Sequence, residues 1–197
     1  MKKKTIILLG LIITVTPIFS QNFTLENIKN KVANTLGISS VPVIGKWNYV
    51  RPACVFESEN LLKKAGGAVV ATQVENKFKE YFDKVGIKAG KSYFIFKDEN
   101  TYSANLGLAK LSGKYSIDAE NNNISLTSGM GIEKLNGKLV KSGNSMKIMF
   151  DADGFLKLMK FLSTFTKDNS IEILAAMDDL YDGMLLGFDL VKENPNK

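Results

Sequence analysis

The sequence predicts a mainly β chain: an eight-stranded antiparallel β-barrel with helical inserts after strand 1 and before the last strand. Three observations predict it. From Lys91 onward, apolar and polar residues alternate in short runs separated by Gly, Asn and Asp turn signals. Two blocks, at about residues 58–86 and 153–181, instead space their apolar residues for helices. No Pro/Gly/Ser-rich linker or internal repeat divides the 197 residues, so one domain accommodates them.

The amino terminus comes first. Residues 1–20 read as a cleavable signal peptide: Lys2, Lys3 and Lys4, an apolar run from Ile6 to Val15, then Pro17-Ile18-Phe19-Ser20, with cleavage near Ser20. The run is too short to span a bilayer, which takes roughly 20 apolar residues. The mature chain is therefore expected in the periplasm or outside the cell, with no transmembrane segment after signal removal. Residues 21–44 form a helical leader, with Thr24 as N-cap, Leu25, Ile28, Val32 and Leu36 on one face and Gly37 as stop. Val41-Pro42-Val43-Ile44 then delivers the chain to a barrel domain over 45–192.

Strand 1 runs from Lys46 to about Phe56. Pro52 lies inside it and cannot donate to a ladder, which predicts an edge, a bulge or a bend there. Ser58 caps a short turn of helix, Gly66-Gly67 interrupts it, and a longer helix follows from about Ala68 to Lys84. Its apolar stripe is Val70, Val74, Phe78, Tyr81, Phe82 and Val85, with Glu75, Lys79 and Glu80 off it, and Gly86 ends it. Tyr93–Phe96 and Thr101–Ala104 make a hairpin around Asp98-Glu99-Asn100. Leu108–Ile117, Ile124–Thr127, Ile132–Lys141 and Ser145–Phe150 supply the next four strands. Asn136-Gly137 is a strong hairpin signal, but as a turn it leaves very short flanks, so a bulge is expected there and the turn at Ser142-Gly143-Asn144. The second helical block has Asp153 as cap and Phe155, Leu158, Met159, Leu162 and Phe165 as stripe. A further helix from Asp168 or Asn169 carries Ile171, Leu174, Ala175, Met177 and Leu180, and Gly183–Lys192 is the last strand.

Composition excludes much chemistry. With no histidine there is no Ser-His-Asp triad, Cys-His dyad or His-ligated zinc, and Cys54, the single cysteine, forms no internal disulfide. Buried packing in a strand is its expected role. The formal charge of +6 falls by three when Lys2, Lys3 and Lys4 are removed, and Arg51 is the only arginine. Nucleic acid is not an expected partner, because the guanidinium forks that read phosphates and bases are missing. Gly66-Gly67 lacks the following Lys-Ser/Thr of a phosphate loop. Asp151-x-Asp153-Gly154 resembles the start of a calcium loop without its remaining ligands, so no metal is expected. Glu57, Glu59 and Asp98 show no spacing suited to acid/base work, and no enzyme activity and no cofactor are expected.

Gly45-Lys46-Trp47 resembles the Gly-x-Trp opening strand of lipocalin-type barrels. Together with Phe56-Glu57-Ser58, Leu61-Leu62, Ala65-Gly66-Gly67, Val74-Glu75, Lys77, Lys84 through Ile87, Phe94 through Asp98 and Ser112-Gly113-Lys114-Tyr115, it resembles the uncharacterised secreted lipocalin-like domain family of Bacteroidetes. The resemblance covers nearly the whole mature chain and implies a calycin-type barrel. Typical lipocalins pack an arginine of the final strand on this tryptophan. The final strand here has none, which leaves Arg51 to take that place only if Pro52 bends the strand back.

A barrel of this size holds side chains or one small ligand. Trp47 and Tyr49 share a strand face and either plug the floor or stack on a ligand. Arg51 either grips a carboxylate or pairs at the surface. With Phe94, Phe96, Tyr102, Tyr115 and Met159 they form the candidate ligand-binding set, Met159 lying on a helix that either forms a pliable lid or merely packs. The leading expectation is an exported, non-catalytic binding protein holding a small apolar or amphipathic ligand in or at the mouth of the barrel. The alternative is a cell-envelope protein-interaction scaffold with a side-chain-filled barrel.

Overall fold

The computed structural model describes residues 43–64, 66–129, 132–166 and 183–194. The expected signal peptide, the leader helix and the helix beginning at 168 or 169 lie outside them. The strands are β1 (Gly45–Phe56), β2 (Tyr93–Phe96), β3 (Thr101–Leu106), β4 (Ala109–Asp118), β5 (Asn123–Ser128), β6 (Ile132–Ser142), β7 (Ser145–Phe150) and β8 (Met184–Lys192). Each pairs antiparallel with the next and β8 pairs with β1, so the sheet closes as the expected eight-stranded barrel. Inward positions repeat every second residue, as in Met146, Ile148 and Phe150 on β7 and Leu186, Phe188 and Leu190 on β8. Asn100 and Asn122 take φ of 54° and 53° in the turns, a conformation asparagine tolerates better than most residues.

β1 is shared unequally. Its pairing with β2 runs only from Gly45↔Phe96 to Asn48↔Tyr93, while its pairing with β8 continues to Phe56↔Met184. The register with β8 shifts between Tyr49 and Arg51, so Val50 is an extra, bulged residue. Pro52 thus follows a bulge and lies where β1 has lost one strand partner, and its missing N–H leaves no gap in a ladder.

Three helices complete the described fold: α1 (Glu59–Lys64), α2 (Ala68–Lys84) and α3 (Ala152–Ser163). Ser58 caps α1 as expected, its Oγ accepting from Leu61 N at 3.3 Å. α2 packs along the free edge of β1. Its buried face is Ala71, Glu75, Phe78 and Phe82; the expected stripe holds at Phe78, Phe82 and Val85, with Val74 and Tyr81 partly buried against the core, and is corrected at Val70, which is half-exposed, and at Glu75, which points inward. An acid is tolerated there because β1 presents an unpaired backbone N–H to it.

α3 buries Phe155, Leu158, Met159 and Leu162. Its cap is Asp151 rather than Asp153: the Asp151 backbone is extended and its Oδ1 accepts from Gly154 N at 2.7 Å. Phe165 falls beyond the helix end and is 39% exposed, so the buried stripe stops at Leu162. Asn136-Gly137 is not a bulge either. It pairs in register with Ser125 and Ile124, and the irregularity lies at Glu133-Lys134, which together face Thr127. Gly137 serves packing instead: an added Cβ would sit 2.6 Å from the Met149 carbonyl and 3.1 Å from the Phe150 ring.

Candidate functional site

At the floor, where the chain enters β1, Trp47 is fully buried and its Nε1 donates to the Val43 carbonyl at 2.6 Å. Lys192, at the end of β8, places its Nζ 5.7 Å from the ring centre. A lysine of the final strand therefore covers this tryptophan, a cation over an aromatic face. Arg51 does not reach it. On the outer face of β1 its Nε donates to Asp189 Oδ2 at 3.0 Å, because the Val50 bulge turns Arg51 outward opposite Asp189.

Above the floor, aromatic rings face the barrel interior and meet one another. Tyr115 meets Phe96 edge-on at 5.1 Å and its hydroxyl donates to the Lys97 carbonyl at 2.9 Å. Phe96 stacks on Tyr102 at 6.2 Å and on Phe94 at 6.1 Å, and Phe94 meets Phe188 at 5.3 Å. Phe188 stacks on Phe82 of α2 at 5.3 Å, Phe82 meets Phe155 of α3 at 6.0 Å, and Phe155 meets Phe78 edge-on at 4.9 Å. Tyr49 touches both Phe82 and Phe188. These separations are those of favourable tilted, stacked and edge-to-face pairs.

The structure thus brings Trp47, Tyr49, Phe94, Phe96, Tyr102, Tyr115 and Met159 into one buried cluster and leaves Arg51 outside it. Phe82 and Phe155, expected only as helix-stripe residues, join that cluster, and so do Phe188 and Phe150, which were not singled out from the sequence. For Phe188 the signal was available, since it alternates with Leu186 and Leu190. Burial raises the Tyr49 phenol, helped by the Asp83 and Asp189 carboxylates, and pushes Tyr102 up to about 12. Both stay protonated near neutral pH. Cys54 is fully buried, and its thiol is pushed up to about 12 by burial and then by the Glu75 carboxylate. That leaves it without thiolate character.

Outside the barrel, near the end closed by the helices, a groove of about 450 Å³ crosses β5 to β8. Asn136, Lys138, Met149, Leu185, Asp151 and Glu57 line it. Its surface is more apolar than polar, and its polar groups are partly self-satisfied: Asn136 Oδ1 accepts from Ser125 Oγ at 2.7 Å and Asp151 is engaged as the α3 cap. Among the described residues no group of three Cys, Asp or Glu side chains is arranged to hold a metal.

The sequence matches the lipocalin-like domain family DUF4923 over residues 18–192, and the chain belongs to that uncharacterised family. A solved structure, a DUF4847 family protein from Bacteroides vulgatus, is similar at 8% identity and a TM-score of 0.37, over 76% of this chain and 94% of that one. No curated protein matches the sequence.

Proposed function

We propose that this member of the lipocalin-like family is an exported, non-catalytic binding module whose barrel is filled by its own side chains, and that it works through its outer surface as a cell-envelope interaction scaffold. One observation carries the reading: the ring contacts run without a break from Tyr115 through Phe96, Phe94, Phe188 and Phe82 to Phe155 and Phe78. A carrier needs interior space that side chains leave free. On this reading Trp47, Tyr49, Phe94, Phe96, Tyr102 and Tyr115 are floor and wall, Met159 is part of the plug, and Arg51 is half of a surface ion pair. Export is supported by Lys2 to Lys4 and the apolar run that follows, and a non-catalytic role by the lack of histidine.

The carrier reading keeps one specific support. The barrel end next to Phe82 and Phe155 is closed by helices rather than strands, and α3 brings Met159, a side chain that adapts to varied shapes. Native mass spectrometry of the mature protein purified from its host decides between the two. The scaffold reading expects the bare polypeptide mass, before and after incubation with host lipid extract. A defined extra mass that disappears in Met159→Asp or Trp47→Ala would overturn it in favour of a ligand at the mouth.

A further inference from the structure

Two loops distant in the chain meet at one corner of the barrel. β3 and β4 are joined by the two-residue turn Gly107-Leu108, closed by the Leu106↔Ala109 pair. Gly107 takes a φ of 74°, and a Cβ there would collide with the backbone of Gly86, so the turn lies directly against the stop that ends α2. Leu108 N donates to the Val85 carbonyl at 3.2 Å. Lys110 pairs across to Asn105, whose side-chain amide donates to the Lys91 carbonyl at 3.4 Å. The β3–β4 turn and residues 84–91 are thus fastened to each other as one rigid corner.

Its exposed side chains are of two kinds. Lys84, Lys88, Lys91 and Lys110 face solvent, and none forms an ion pair among the described residues. Neither 84–92 nor 104–112 contains an acid. Of the carboxylates just before them, Asp83 already holds Lys79 at 2.8 Å and Glu80 lies a turn further back on α2. Leu108, at the tip of the turn, is 56% exposed. Turn tips are ordinarily polar, and the fold gains nothing from a leucine side chain left in water there, because the backbone N–H of Leu108 makes the contact with Val85.

Lysines alone accept any polyanion, so the leucine makes the choice. A soluble polyanion offers charge to the ammonium groups and no apolar phase to Leu108. An anionic bilayer offers both: its surface potential draws lysines, and its acyl boundary takes an apolar side chain that projects between them. Residues 84–91 and 104–110 also contain no arginine to fork a phosphate and no aromatic ring to stack a base, which disfavours nucleic acid. We propose that this corner, the Leu108 tip with Lys84, Lys88, Lys91 and Lys110, docks the protein on the surface of an anionic phospholipid bilayer. The inference rests on the outer-surface reading given above and names what that surface meets.

Co-sedimentation of the mature protein with phosphatidylcholine vesicles, with and without phosphatidylglycerol, tests it, with poly-dT and polygalacturonate run in parallel. Binding to the phosphatidylglycerol vesicles alone is expected, weakening about tenfold or more between about 50 and 300 mM salt. Leu108→Asn, which leaves every lysine in place, should weaken it about tenfold. Lys84→Gln/Lys88→Gln/Lys91→Gln/Lys110→Gln should weaken it about a hundredfold or more, and a control of equal charge, Lys97→Gln/Lys114→Gln/Lys157→Gln/Lys160→Gln, should preserve it. In Leu108→Trp the new indole should shift its emission to the blue on the anionic vesicles, which contact through charge alone would not produce. No vesicle binding, equal loss in both quadruple variants, full binding by Leu108→Asn, or stronger binding to poly-dT or polygalacturonate would overturn the proposal. A bare native mass with no vesicle binding defeats the docking corner alone; a resident small molecule defeats the scaffold reading instead.

Discussion

Glu75 Oε1 accepts a hydrogen bond from the backbone N–H of Cys54 at 3.0 Å, so a side chain on α2 does for β1 what a neighbouring strand would otherwise do. β1 parts from β2 after Asn48, and a strand edge left buried without partners costs free energy. Glu75 meets that need from the centre of an otherwise apolar helix face, beside Ala71, Phe78 and Phe82. The groups facing it are Arg51, Lys147, Asp189 and the Cys54 thiol. Burial raises its carboxyl above the ordinary range, ahead of the opposing effects of the Cys54 hydrogen bond and the Arg51 and Lys147 charges.

That relationship gives a stability prediction with a sign. Glu75→Ala orphans the Cys54 N–H and should cost about 1–3 kcal/mol, read as a fall in the urea midpoint at constant slope. A raised folded-state value means the folded protein binds this proton more tightly than the unfolded chain. Its contribution is therefore complete below the unfolded carboxyl value, about 4.3, and is lost as pH rises through the higher folded value. Glu75→Gln keeps an acceptor for Cys54 N without the charge, so its stability should gain on the parent as pH rises from 4 toward 8, read as a rising urea midpoint relative to the parent.

Phe188 touches Tyr49, Phe82, Phe94 and Phe150, which places it at the junction of barrel wall and helical cap. Phe188→Ala should cost about 3–5 kcal/mol in chemical denaturation, more than any single surface substitution, because the surrounding rings cannot collapse into the space. If the variant folds, a gain of binding to small aromatic probes such as benzene derivatives is expected, seen as a raised melting temperature in their presence.

Gly113 lies where β4 passes β5, and an added Cβ would collide with the Thr127 carbonyl. The obstacle is backbone in a closed barrel, so neither strand can move aside cheaply. Gly113→Ala should destabilise the fold by about 3 kcal/mol or more, whereas Gly129→Ala, with nothing within 4 Å of the new Cβ, should change it by about 0.5 kcal/mol or less.

Cys54 should be inert while the chain is folded. Its thiol is buried and raised to about 12, so iodoacetamide labelling near pH 8 should track global unfolding and accelerate with urea. Fast labelling in native buffer would show that α2 detaches from β1 without unfolding of the barrel.

Much of the architecture was legible because closing a sheet imposes a period of two on every strand, and Thr101–Leu106, Ala109–Asp118 and Asn123–Ser128 carry it openly. The aromatic set was legible for the same reason: residues on the inward parity of a small barrel meet at its axis. What misled was local chemistry read without its neighbours. Asn136-Gly137 has the composition of an irregularity, but Gly137 is small because Phe150 packs beside it. Asp151 and Asp153 are equally plausible caps in one dimension, and only the extended backbone at Asp151 selects it. Arg51 was open on paper to a ligand carboxylate as well as to the expected surface pair until the Val50 bulge set it opposite Asp189.

By itself, the sequence determined the closed eight-stranded barrel, the helices that follow strand 1 and precede the last strand, and the absence of histidine, since periodicity, turn residues and composition are local properties. The tertiary structure alone decided that Glu75 belongs inside, that Lys192 rather than an arginine covers Trp47, and that Arg51 stands outside opposite Asp189. Those facts depend on which strand edge is left open and which residues meet across strands far apart in sequence. A hydrogen bond or a charge cluster is a relation between distant positions, and only the folded chain brings its members within reach.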